Sequence, residues 1–390
     1  MEETRTTATL VWSPETARYD FGAGHPLAPV RVTLAVALMR AYSLLGPEGP
    51  VAVVAPRPAS RDELAAVHED AYLEAVREAA ADPAGFEPRR GVGDADDPAF
   101  RGMDEAAALV AGGSIVALET VLGGGATRSF AVAGGLHHAH AGRAAGFCVY
   151  NDPAVAIAAA LRRDPALRVA YLDIDAHHGD GVQEAFWDDP RVITVSIHES
   201  GAYLFPGTGD ASETGGEKAR GSAVNVGLPP FADDACYAAV FDEIVEPVVG
   251  AFSPDVIVAQ LGCDAHHADP LTHLSMTLPG YLSLVGRIVA LADSACAGRL
   301  AALGGGGYGV LDIVPRAWAA AMARIADVGL PQELPGVWLA EAAVHGRVPG
   351  ATRLTEDAHE GSGQRAEAAL AETRRGITRT REALSGRWAL

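Results

Sequence analysis

The chain has 390 residues, 49% of them apolar and 21% charged, enough to bury a sizeable core, so intrinsic disorder is excluded for the bulk of it. Acidic residues outnumber basic ones 50 to 30, a formal charge of −20, which is the wrong field for a phosphate-backbone binder; nucleic acid is not expected as a direct ligand. Four scattered cysteines (Cys148, Cys236, Cys263 and Cys296) form no CxxC pair, which argues against a disulfide framework or a Cys-rich zinc site and for a reducing compartment.

At the start of the chain, Met1 to Thr9 is polar and lacks the apolar core of a signal peptide. No run of 18 or more apolar residues follows, so no membrane contact is expected and the cytoplasm is the expected location. Val51–Ala55 reads as a buried strand, Asp104–Leu122 as a helix and Ser129–Ala133 as a strand. Pro153–Arg163 follows as a helix, then strands at Val169–Leu172 and Val192–Ile197. Asp233–Val249 is helical, Val256–Leu261 a strand, Pro279–Ala297 a helix and Leu300–Leu303 a strand. Apolar strands alternating with helices predict an α/β fold, a predominantly parallel sheet with helices on both faces, in a single large domain. The character changes near 350. Residues 1–349 are taken as the catalytic domain and 350–390 as a linker and helical tail. Glu360–Gln364 reads as the linker and Arg365–Leu384 as a charged helix. Its seam of Ala366, Leu370, Thr373, Ile377, Thr380 and Leu384 is heptad-like and docks on its own domain or on a second subunit. Oligomeric state is left open.

Ligands of open α/β sheets bind beyond the carboxyl ends of the strands. Here those ends carry Gly134-Gly-Leu-His-His138, Asp173-Ile-Asp-Ala-His-His-Gly-Asp-Gly181, Gly262-Cys-Asp-Ala-His-His267 and Gly304-Gly-Gly-Gly-Tyr308. Side chains two apart on an extended chain point the same way, so Asp173, Asp175 and His177 line one face. Two carboxylates and an imidazole together call for a cation, and without thiolate they suit catalytic Zn²⁺, Mn²⁺ or Fe²⁺. Asp264 offers a third ligand from a neighbouring strand end. The repeated Asp-Ala-His-His makes His266 an equal candidate at this point, and a two-metal site stays open; His178 and His267 read as supporting residues. His137 and His138 read as general base and acid, with Asp173 and Asp180 as the carboxylates that fix their tautomers. Tyr308, after four glycines, is placed to donate its hydroxyl to a developing oxyanion.

Taken together these residues resemble the histone deacetylase superfamily, from about Tyr19 to about Trp338. The resemblance rests on Gly24-His-Pro-Leu-Ala-Pro-Val-Arg31, Gly146-Phe-Cys-Val-Tyr-Asn151, Asp173–Gly181, Phe205-Pro-Gly-Thr-Gly-Asp210 and Gly304–Tyr308. Asp264–His273 and Leu334–Trp338 look most like the bacterial acetoin-utilization deacetylase branch. The resemblance implies an arginase-like fold with an eight-stranded sheet and one zinc per chain, held by Asp175, His177 and Asp264. By the same resemblance His138 shuttles the proton, His137 is its electrostatic partner, and Asp173 and Asp180 pair with His137 and His138 respectively. Gly146, Phe147 and Phe205 line the acyl-lysine tunnel, Leu271 forms its rim, Asp96 grips the substrate backbone and Arg31 lines the acetate exit. A structural K⁺ is implied on Asp173, Asp175, His177, Ser196 and Ile197. Asp152 reads as a local charge without a role in the chemistry.

The expected activity is removal of acetyl from lysine side chains of proteins, with the acidic loop Asp94-Ala-Asp-Asp97 attracting a cationic substrate and a narrow slot favouring acetyl. Deacetylation of an acetylated polyamine or another small cationic amide is the nearest alternative. A non-catalytic acyl-lysine binder and a two-manganese ureohydrolase come further behind.

Overall fold

The computed structural model describes residues 8–346, 351–357 and 363–388. Met1–Thr7, the expected boundary near 350 and most of the Glu360–Gln364 linker lie outside them. Eight strands form one sheet: β1 Ala8–Val11, β2 Val51–Val54, β3 Arg128–Ala131, β4 Val169–Asp173, β5 Val192–Glu199, β6 Ala223–Leu228, β7 Val256–Gln260 and β8 Leu300–Leu303. Every pairing is parallel, in the order β2-β1-β3-β8-β7-β4-β5-β6.

The helices of the first half are α1 Val30–Ala41, α2 Arg61–Leu64, α3 Asp70–Ala81, α4 Met103–Leu122, α5 Asp152–Arg163 and α6 Asp180–Ala185. Those of the second half are α7 Asp234–Val240, α8 Glu246–Phe252, α9 Leu278–Cys296, α10 Ile313–Ile325, α11 Gly336–His345 and α12 Gln364–Ala383. The two faces of the sheet are read off by alternation. Leu10, Phe130 and Leu172 pack under α1, α9 and α10, while Val11, Ala131 and Tyr171 pack under α4 and α5. Helix α4 is long and apolar enough to cross a membrane. Its Ala107, Ala111, Ile115 and Leu118 are instead buried in the core shared with α5.

The predicted strands correspond to β2, β3, β4, β5, β7 and β8. The motif-free reading omits β1, a four-residue Ala-Thr-Leu-Val, and β6, where Asn225 and Gly227 interrupt the apolar run. The expected helix Asp233–Val249 is broken by a π turn at Phe241–Val245 and continues to Phe252. Pro247 explains the break: it has no N–H to offer the carbonyl of Glu243. At the tail, α12 lies on β6 and α7 and buries Ala369, Thr373, Ile377 and Thr380, and Thr380 Oγ1 donates to Asn225 O at 2.7 Å.

Candidate active site

Four adjacent central strands, β3, β8, β7 and β4, deliver the chemistry at their carboxyl ends. After β3, Gly134 and Gly135 turn the chain so that His137 and His138 enter the site. Asn151 caps α5 through Ala154 N–H at 3.0 Å, and its Nδ2 donates to His137 O at 3.0 Å and Ala139 O at 2.9 Å. Asp152 beside it is buried, accepts from Gly135 N at 2.9 Å and Leu136 N at 2.7 Å, and takes the Ser114 hydroxyl. Asp152 therefore holds the turn that carries the two histidines, a structural part that the sequence reading did not give it. Burial raises its carboxyl to about 6 against these donors.

The imidazoles form a facing pair, each oriented by its own carboxylate. His137 Nδ1 lies 2.8 Å from Asp173 Oδ2, and His138 Nδ1 lies 2.7 Å from Asp180 Oδ1. Carboxylates only accept, so both Nδ1 atoms carry hydrogen. The two Nε2 atoms then face each other at 3.0 Å, and one proton serves both. Burial works against charge on His137, but Asp173 and Asp175 outweigh it and raise it to about 9. Burial and the neighbouring charge of His137 lower His138 to about 4. The opposed shifts favour the proton on His137 over His138. Tyr171 steadies Asp173 with its hydroxyl at 2.7 Å.

After β4 and β7, Asp175, His177 and Asp264 are all buried and bring ligand atoms within 4.8 Å of one another. His177 Nδ1 faces Asp175 Oδ1 at 3.1 Å and Asp264 Oδ2 at 2.9 Å. Burial and the charge of Asp175 raise Asp264 to about 7. Two mutually repelling carboxylates around one imidazole nitrogen are the donor chemistry of a divalent-cation site, so this trio fits a metal. The far oxygen of Asp175 is fixed by Gln260 Nε2 at 2.6 Å and Gly306 N at 2.7 Å. A Cβ on Gly306 would stand 2.1 Å from Asp264 Oδ2, so the Gly-rich turn must pass here without a side chain.

His266 stays out of this trio. Its Nδ1 accepts Ala268 N–H at 3.1 Å, so Nε2 carries the proton and donates it to Glu356 at 3.0 Å. His266, His267 and Glu356 lie close enough to one another to hold an ion, but Glu356 also accepts Leu278 N–H at 2.6 Å and Arg316 Nη1 at 3.4 Å. That makes it a lock between chain segments. His178 meets Thr208 Oγ1 at 2.9 Å and Gln183 Oε1 at 3.2 Å.

Aromatic rings stand next to these groups. The Phe205 ring stands 5.0 Å from His138, and the Phe147 ring 5.9 Å from Tyr308, which in turn lies 6.4 Å from His177. Between the two walls, a Cβ on Gly146 would stand 2.5 Å from His138 Cδ2 and 2.9 Å from Phe205 Cε1. Asp269 Oδ2 accepts Tyr308 N–H at 2.7 Å and Oδ1 accepts Leu271 N–H at 3.0 Å, tying the tyrosine to half-buried Leu271. Behind the glycine turn, buried Arg31 donates to Gly305 O at 2.8 Å and Gly307 O at 2.9 Å. Asp96 is exposed and its carbonyl meets His25 Nε2 at 3.0 Å. In the acidic loop, however, Asp97 is buried and does not face a substrate; Asp94 and Asp96 are the exposed charges. Asp173 and Ser196 sit side by side in the β4–β5 register, with Ile197 next to them. Ser196 Oγ meets His198 Nδ1 at 2.9 Å.

A histone deacetylase domain matches residues 25–325. The acetoin utilization protein AcuC of Bacillus subtilis (strain 168) is 42% identical over 334 residues, 85% of each chain. That of Staphylococcus aureus (strain MSSA476) is 37% identical over 342 residues, 87% of each. The crystal structure of an HDAC homolog from Aquifex aeolicus superposes with a TM-score of 0.83 at 29% identity, over 94% of this chain and all of that one. The chain belongs to the histone deacetylase family, and with it to the metal-dependent hydrolases that cleave acetyl amides. Within that family it falls in the acetoin-utilization branch.

Proposed function

We propose that the chain removes acetyl groups from the ε-amines of protein lysines, in the cytoplasm, with one zinc ion on Asp175, His177 and Asp264. The observation that carries this reading is the buried pair His137 and His138, each on its own aspartate, beside a metal-fitting trio, with the Phe205 ring close to His138 and the Phe147 ring close to Tyr308. When bound, the ion supplies a polarised carbonyl and a water of lowered pKa. His138 Nε2 accepts the water's proton and returns it to the leaving amine. Protonated His137 offsets the negative charge that develops during attack. The Tyr308 hydroxyl donates to the carbonyl oxygen as that oxygen gains charge. Phe147 and Phe205 flank the lysine methylenes, Gly146 leaves room between them, and Leu271 and Asp96 meet the substrate at the rim. Arg31 lines the way out for acetate. Backbone carbonyls of Asp173, Asp175, His177 and Ile197, with Ser196, hold a K⁺. Residues 1–349 carry the catalysis and 350–390 form a helical tail.

The test is a side-by-side measurement of kcat/KM on an acetyl-lysine peptide, N-acetylputrescine and a panel of longer acyl-lysine peptides. The acetyl peptide is expected to be the best substrate. A preference for the acetylated diamine would overturn the protein-lysine assignment and leave acetyl-amide hydrolysis standing.

A further inference from the structure

Beneath the channel rim lies a carboxyl group that the chemistry above does not use. Asp97 is 1% exposed, and neither of its carboxylate oxygens has a hydrogen-bond partner among the described residues. Such groups are rare in folded proteins, because an unpaired buried polar atom is costly. The main chain around it, by contrast, is tied. Asp94 Oδ1 accepts the N–H groups of Asp96 at 3.0 Å and Asp97 at 2.9 Å, and Asp97 O accepts Gly93 N–H at 2.8 Å. The next link leads to the channel wall: Asp96 O meets His25 Nε2 at 3.0 Å, and the His25 ring stands edge-on to Phe147 at 4.6 Å. Phe147 has φ +67°, a left-handed conformation that a bulky side chain adopts only when its surroundings impose it. Its backbone N–H faces Asp97 without completing a hydrogen bond.

The surroundings decide which form of Asp97 is stable. Its own loop contributes Asp94 and Asp96, which disfavour charge on it. The elements packed over it contribute Tyr19, Tyr72 and Cys148, all buried and neutral. Tyr19 spends its hydroxyl on Phe147 O at 2.8 Å and Tyr72 spends its own on Val149 O at 2.5 Å. No cation acts on Asp97 among the described residues.

We infer that Asp97 is a positioning residue for the substrate rim: as the neutral acid it seats the Asp94–Asp97 loop, and through it Asp96 and Phe147, and as the carboxylate it unseats them. The inference rests on the reading of Asp96 and Phe147 as substrate contacts. Burial, then Asp94 and Asp96, raise the carboxyl to about 8. For an acid raised in the fold, the favourable form is full at low pH and is lost as pH rises through that value.

The experiment compares KM and kcat of the wild type with Asp97→Asn between pH 7 and 9.5, on a blocked peptide whose only functional group is acetyl-lysine. The ratio of wild-type KM to variant KM is expected to rise with pH, by up to about 30-fold where the neutral form alone seats the rim, with the kcat ratio unchanged. Asp97→Thr, a second neutral side chain, serves where the asparagine variant does not fold. Hydrogen exchange over residues 92–100 and 146–149, compared between the two proteins at each pH, reads the seating without using activity. Protection lost in the wild type alone, together with the KM change, is the expected result. Equal protection in both proteins across the range overturns the role of Asp97. Protection lost with no change in KM overturns it through its premise, the substrate role of Asp96 and Phe147.

Discussion

Tyr308 is held from behind, by Asp269 on its N–H, and its phenol is kept protonated by burial and by the charges of Asp264 and Asp175. It is therefore a hydrogen-bond donor throughout the physiological range. Tyr308→Phe is expected to lower kcat by about 10²–10³-fold with little change in KM, as removal of an oxyanion donor does. Circular dichroism and bound metal should match the wild type. Near-normal kcat would reduce Tyr308 to a packed residue. Among the acidic residues, Asp264→Ala should abolish both activity and most metal binding, and His266→Ala should spare both; elemental analysis decides, and two tightly bound ions per chain would sink the single-site assignment. The ligand candidates were legible because acids and imidazoles cluster directly after an apolar strand, although the expected extended face does not form: β4 ends at Asp173, which turns to His137, and residues 175–177 bend to meet Asp264. Gln260 was not, because one polar residue ending an apolar strand looks like any strand end. Its partner Asp175 lies two residues past the end of β4, brought close only by the β4–β7 register, which sets Asp173 opposite Gln260. Asp152 and Asp269 act on backbone N–H groups far along the chain or across a turn, and no side-chain pattern announces that.

The segments that hold elements together behave in the same way. Residues 351–357 are pinned by Glu356, whose carboxyl is lowered to about 2 because His266 and Leu278 N–H outweigh its burial. A depressed acid contributes stability that is present above its unfolded pKa and is lost as pH falls from about 4.5 towards 2. Glu356→Gln is expected to lower stability at pH 7 and to make little difference near pH 2; thermal melts of both proteins across this range measure it. Helix α12 offers the second test. Ile377 is 2% exposed in its seam over β6, so Ile377→Ala should cost about 2–5 kcal/mol of stability while kcat at low temperature stays near normal. A collapse of kcat in the folded variant would show that the tail reaches into catalysis. The seam itself could be read from spacing, since Thr373, Ile377, Thr380 and Leu384 recur at helical intervals. The strand it covers could not, because β6 carries Asn225 and Gly227 and becomes recognisable only once α12 and β5 flank it.

At the scale of the molecule, a formal charge of −20 and exposed Asp94 and Asp96 predict that a cationic substrate is drawn in electrostatically. For an acetyl-lysine peptide flanked by arginines, raising NaCl from 0.05 to 0.5 M should raise KM several-fold, because such fields are screened within about a Debye length. A neutral peptide should respond little, and equal responses would mean that the acidic surface plays no part in capture. The sheet order has a different consequence. Strand β8 joins β3 to β7, yet it is the last strand in the sequence. A chain still growing on the ribosome and short of residue 300 has two half-sheets, β2-β1-β3 and β7-β4-β5-β6, with no strand pairing between them. Asp175, His177 and Asp264 all belong to the second half, while His137 and His138 belong to the first and Tyr308 is not yet made. The last strand in the sequence is therefore the one that joins the turn carrying His137 and His138 to the half-sheet carrying Asp175, His177 and Asp264.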